Sequence, residues 1–238
     1  MFVWILYYTE WLAGWMGLFA PPAQLNLVLE HVVDVRALYL DTAVYYNALQ
    51  QPFSVSKCKY YLGNPVLLAA AGPDFHSNTY YLADVEEVST LAFPLQKIPP
   101  GRYRALQFTL GVDSLQNCSG VQSGALDPEN AMFWAWNTGY IFLKLEGTAP
   151  ASKSPGHFFE FHIGGFRSPH NCIRTITLPF EQVMDLQAGA RNELRLRVNV
   201  GEILRTPNTI DFGVHSAITD FNYAELIADN YVDMFSIR

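Results

Sequence analysis

The sequence predicts an all-β fold, an antiparallel β-sandwich with a short C-terminal helix. Leu25–Val32 and Leu194–Val200 alternate apolar and polar residues, the period of a strand with one buried face. Short apolar runs recur between turns rich in Gly and Pro. Helix signals are confined to the C-terminal end, so the layers must be built from sheets.

In chain order, Leu25, Leu27, Leu29 and His31 share one face of the opening strand; Asn26, Glu30 and two valines take the other. Leu38–Leu40 is a short partner strand. Phe53–Leu62 continues as an alternation of Ser, Lys and Tyr, and Pro65–Ala71 is an apolar strand. The turn Pro99-Pro100-Gly101 launches Tyr103–Leu110. Phe133–Glu146 reads as one longer strand region and Gly147–Gly156 as a loop. His157–Ile163 is a strand stopped by Gly164-Gly165, and Ile173–Pro179 follows. Asn222 can cap a helix whose third position is Glu225, which puts Leu226, Ile227, Tyr231 and Met234 on one face. That helix is expected to close one end of the domain. Neither a repeat nor a linker interrupts the chain after residue 24, so residues 25–238 read as one domain.

Residues 1–24 form a separate apolar block. Glu10 is its only charge, Trp4, Trp11 and Trp15 fall in it, and it ends in Ala20-Pro21-Pro22-Ala23-Gln24. The block resembles the core of a secretory signal or a membrane anchor, although no basic residue follows Met1. Half of the 238 residues are hydrophobic and 16% are charged, a composition that supports a sizeable core. The formal charge of −7, without a basic run, excludes the electrostatics of nucleic-acid binding. Cys58, Cys118 and Cys172 form no C-x-x-C pair and allow at most one internal disulfide.

The chemistry gathers around Asp127–Tyr140. In a continuous strand Met132, Trp134 and Trp136 would project into one compartment. Indoles in such a place are core residues first and site residues second. Among the six histidines, His31 stands on the apolar face of its strand, where a hydrogen-bonded core histidine is the simplest reading. His162 lies at a strand end beside two glycines that allow close approach. In a regular strand His157 would face away from His162. The sequence contains no G-x-S-x-G, no H-E-x-x-H and no phosphate-cradling glycine loop, so a non-enzymatic protein is expected. A surface sandwich that binds glycan or protein through exposed aromatics is the competing expectation.

Leu25-Asn26-Leu27-Val28-Leu29-Glu30-His31-Val32-Val33, Ser56–Asn64, Leu110-Gly111-Val112-Asp113, Met132–Tyr140, Lys144-Leu145-Glu146-Gly147 and Phe161-His162-Ile163-Gly164-Gly165 together resemble the MbnP-like family. These are copper-binding proteins associated with methanobactin operons, also called metallo-mystery-pair proteins. The resemblance implies a periplasmic or secreted β-sandwich that binds copper and takes part in copper homeostasis. It implies a partner, a diheme MauG-like cytochrome c peroxidase, that oxidises a tryptophan to kynurenine. Carried onto this chain, it makes His31 and His162 copper ligands and Trp134 or Trp136 the oxidised residue. His157 is a further ligand or a supporting group. Imidazole suits copper, whereas an intact indole nitrogen only donates.

Overall fold

The computed structural model describes residues 20–134, 139–218 and 221–238, without the side chains of Phe221 and Asn222. The described strands are β1 (Ala23–Val33), β2 (Arg36–Ala37), β3 (Tyr45–Tyr46), β4 (Pro52–Ala69), β5 (Phe75–His76), β6 (Tyr80–Asp84), β7 (Ala92–Ile98), β8 (Gly101–Leu110), β9 (Phe133–Trp134), β10 (Gly139–Thr148), β11 (Phe158–Gly164), β12 (Phe166–Arg167), β13 (His170–Asn171), β14 (Arg174–Leu186), β15 (Arg191–Asn199), β16 (Ala217–Ile218) and β17 (Phe235–Ile237). Two α-helices accompany them, α1 (Ser114–Cys118) and α2 (Phe221–Asn230).

The expected sandwich is present. One sheet runs β17-β15-β1-β2, with β7 also paired to β1; the larger sheet runs β14-β8-β4-β10-β11-β16, with β3, β5, β6 and β9 attached. The described pairings are antiparallel except β1 with β15 and β11 with β16. Alternation in β1 buries Ala23, Leu25, Leu27 and Leu29, and in β15 it buries Leu194, Leu196 and Val198. Between the sheets, Phe235 meets Tyr60 and Phe108 edge-on, at centroid distances of 5.7 and 5.0 Å. A second cluster of Phe53, Phe159, Phe161 and Phe212 fills the other end. Each buried ring contributes about 1.5–3 kcal/mol by leaving water.

Several sequence boundaries move. Ala23 and Gln24 belong to β1 rather than to the apolar leader: Ala23 faces Ile98, and Gln24 N donates to Ala190 O at 2.9 Å. Residues 1–19 of that block lie outside the described residues. Phe53–Leu62 and Pro65–Ala71 fuse into β4, whose register shifts between Gly63 and Val66. A Cβ on Gly63 would stand 2.6 Å from Thr109 Oγ1, so the shift occurs where no side chain fits. The partner strand of β1 sits at Arg36–Ala37, just before Leu38. Of the expected Ile173–Pro179, Arg174 onward forms the first half of the longer β14, which has its own register shift before Met184.

At the C-terminus the helix begins at Phe221, so Asn222 lies inside it and is not its cap. Ile227, Tyr231 and Met234 are buried as the helical period predicts, and Asn230 Nδ2 ties the helix end to the Ile203 and Asn208 carbonyls. The chain then adds β17 against β15, a strand the sequence did not announce. Phe133–Glu146 is not one strand: β9 folds back antiparallel on β10, with Trp134 opposite Gly139. Trp136, and with it the expected projection of both indoles from one strand, lies outside the described residues.

Candidate functional site

The register of β4, β10 and β11 sets the geometry. Lys59 stands opposite Lys144, and Lys144 opposite His162; one residue along, Tyr60, Leu143 and Ile163 form the adjacent row. Neighbouring residues in a strand point to opposite faces. Tyr60, Leu143 and Ile163 therefore face the smaller sheet, and Lys59, Lys144 and His162 lie on the outer face of the larger one. Glu146, two residues from Lys144, shares that outer face.

There His162 Nε2 lies 2.8 Å from Glu146 Oε1. A carboxylate only accepts, so Nε2 carries the proton and the neutral ring keeps its lone pair on Nδ1. Among the described residues Nδ1 has no hydrogen-bond partner. Burial pulls the His162 pKa below its ordinary value and outweighs the opposing pull of Glu146. Burial raises the Glu146 carboxyl, but the His162 hydrogen bond with the charges of Lys57, His162 and Lys144 brings it below the usual range. Lys144 is buried, its pKa lowered chiefly by desolvation, and Nζ donates to Ala131 O at 2.5 Å.

That lysine anchors the tryptophan-bearing segment. Asp127 Oδ1 accepts from Glu129 N at 2.9 Å and caps a short 3-10 turn, Pro128–Asn130. Ala131 then adopts a left-handed φ of 57° and turns the chain onto the sheet, where Ile141 N donates to Met132 O at 2.9 Å. Trp134 is 2% exposed. A Cβ on Gly164 would stand 2.7 Å from its Cζ3 and 2.5 Å from Tyr140 O, so the indole rests on a bare glycine. Gly164 and His162 are two residues apart on one strand face, roughly 7 Å. The structure thus seats Trp134 on the strand that carries His162.

His31 does not join them. Its ring points between the sheets, with Nε2 2.8 Å from Tyr60 Oη. Burial lowers its pKa to about 4. Because Tyr60 and His162 occupy opposite faces of the larger sheet, that sheet lies between the two imidazoles in this structure. His157 also stands apart. It belongs to a 3-10 turn, Pro155–His157, and not to β11; it is exposed, its Nδ1 lies 3.0 Å from Ser152 O, and four residues separate it from His162. Among the described residues no three His, Cys, Asp or Glu side chains gather as a metal cluster. On this face the imidazole of His162, backed by Glu146, is of the donor type that copper prefers.

Sequence reasoning missed Glu146 and Lys144 as parts of this site, whereas Gly164 was read as a point of close approach. The spacing of two between Lys144 and Glu146 shows that they share a strand face; their pairing with His162 needs the register of β10 against β11. Cys58, Cys118 and Cys172 are all free thiols; Cys58 and Cys172 are buried and Cys118 is exposed. No described helix is long and apolar enough to cross a membrane.

The fold and this site can be set against known proteins. A comparison with curated sequences returns no match. Among solved structures, MbnP from Methylosinus trichosporium aligns with a TM-score of 0.50 at 16% identity, over 74% of this chain and 75% of that one. At this identity the likeness concerns the fold. The sequence profile of the MbnP family matches residues 22–222, from the start of β1 into α2. With that profile spanning most of the sandwich, the chain belongs to the MbnP family.

Proposed function

We propose that this protein is a non-enzymatic copper-binding protein of the periplasm or the secreted fraction, acting in copper homeostasis. Copper would be held on the outer face of the larger sheet by His162 Nδ1. A tryptophan of the neighbouring segment, Trp134 or Trp136, would complete the site after oxidation to kynurenine by a diheme MauG-like cytochrome c peroxidase. The observation that carries this reading is the placement of Trp134 on Gly164, two positions from His162. An intact indole offers no lone pair in the ring plane, whereas the opened ring offers a ketone and an aromatic amine. Glu146 fixes the His162 tautomer and its orientation, the usual task of a carboxylate behind a metal-binding imidazole. The apolar N-terminal block supports export.

Copper titration of protein made together with its haem partner tests this. His162→Ala is expected to abolish tight binding, Glu146→Gln to weaken it by roughly 10–100-fold, and His31→Ala to leave it intact. Tight binding by His162→Ala would reject the site. Peptide mass analysis of Met132–Lys144 should show a gain on one tryptophan when the partner is present; an unmodified peptide would reject the oxidation. The glycan- or protein-binding reading calls for solvent-facing indoles, and the burial of Trp134 speaks against it.

A further inference from the structure

His31 meets Tyr60 on the inner face of the larger sheet, across that sheet from His162. Tyr60 is wholly buried, packed edge-on against Phe235, and its hydroxyl is 2.8 Å from His31 Nε2. His31 lines an open cleft of about 430 Å³ together with Glu30, Val35, Arg197 and Arg238. In the tautomer that carries its proton on Nδ1, His31 accepts the Tyr60 O–H at Nε2. The other ring nitrogen has no partner among the described residues, and the ring itself is partly exposed.

We infer that Tyr60 and His31 form a redox site at which the buried phenol loses one electron while its proton passes to the imidazole. The electron goes to an outer-sphere one-electron oxidant, such as a high-valent haem or a ruthenium(III) polypyridyl complex. The Tyr60 O–H bond breaks, a new N–H bond forms at His31 Nε2, and the oxidant is reduced by one electron. The reverse transfer restores phenol and imidazole. Burial in hydrocarbon makes a phenol radical cation prohibitively costly, so oxidation at Tyr60 requires the proton to leave with the electron. His31 supplies the acceptor in place. Burial keeps the ring neutral near pH 7, so Nε2 can accept, and it disfavours the imidazolium formed, which drives the proton back when the electron returns. The packed core around the ring shields the resulting neutral radical from partner molecules, whereas radicals on exposed Tyr39, Tyr46 or Tyr223 meet solvent and one another.

The inference is independent of copper and is tested on the metal-free full chain. Flash photolysis with a ruthenium polypyridyl complex and a sacrificial acceptor generates the oxidant, and electron paramagnetic resonance follows the tyrosyl radicals. The wild type should give a long-lived, hydrogen-bonded tyrosyl signal that Tyr60→Phe removes while the short-lived surface signals stay. His31→Gln keeps a polar partner and removes the base, and should slow formation of that signal roughly a hundredfold. His31→Ala should regain it on adding imidazole, which the cleft can admit. Circular dichroism shows which variants are folded. A long-lived signal that persists in folded Tyr60→Phe, or forms equally fast in folded His31→Gln, would overturn the assignment.

Discussion

Gly164 is the residue on which the outer-face site is built, because any side chain there would collide with the Trp134 ring and the Tyr140 carbonyl. Gly164→Ala should therefore destabilise the protein by about 1–3 kcal/mol in urea titration, as overpacking does, and displace the indole. His31 gives a pH signature of different origin. Its folded pKa of about 4 lies below the ordinary 6.5. Between those values the unfolded imidazole binds a proton that the folded one refuses, so stability falls as pH drops through that window. The loss should reach about 3 kcal/mol and should largely vanish in His31→Gln. Glu146 adds a second decline further down: its carboxyl is held low, so its contribution is present above the ordinary carboxylate range and is lost below it. Urea midpoints between pH 7 and pH 4 for the two proteins measure the difference. His31 was legible as an inward-facing residue from alternation alone. Its tie to Tyr60 was not, because that contact joins two sheets whose relative placement no local pattern encodes.

At the scale of elements, the segment from Asp127 to Trp134 shows where strand reasoning failed. Alternation through Phe133–Glu146 reads as a single strand, and the reversal into β9 and β10 carries no Asn-Gly or Gly-Gly signal among its described residues. The turn at Ala131 is stabilised instead by the buried ammonium of Lys144, which caps its carbonyl from across the sheet. Lys144→Met keeps the length and apolar stem of the side chain but leaves that carbonyl without its donor. The loss should lower the local opening free energy by about 1–3 kcal/mol. Hydrogen exchange at the Ile141 amide, bonded to Met132 O, should accelerate by at least roughly tenfold, with the β1 amides unchanged. Equal protection of Ile141 in both proteins would show that β9 pairing, not the lysine, holds the segment. His162 was recognisable from the glycines that follow it. Its partner Glu146 was not, since the two meet only through the β10–β11 register.

Across the whole molecule, the sandwich class was readable because strands with one buried face must pair their apolar sides, and the chain offers few helices to cover them. The closing element escaped notice because it spans only Phe235–Ile237, too short for any periodicity to show. Yet this strand joins the layers. It pairs with β15 in the smaller sheet while Phe235 inserts between Tyr60 and Phe108 of the larger one. Phe235→Ala should therefore cost about 3–5 kcal/mol, the range for emptying a buried aromatic site. Phe158 offers the control: it sits at the edge of β11, 55% exposed, and Phe158→Ala should change stability by no more than about 0.5 kcal/mol. Urea unfolding of the two variants with a common slope separates a ring that fastens two sheets from one that decorates a surface. Equal losses would mean that β17 is dispensable and that the parallel pairing of β1 with β15 holds the smaller sheet against the larger without it.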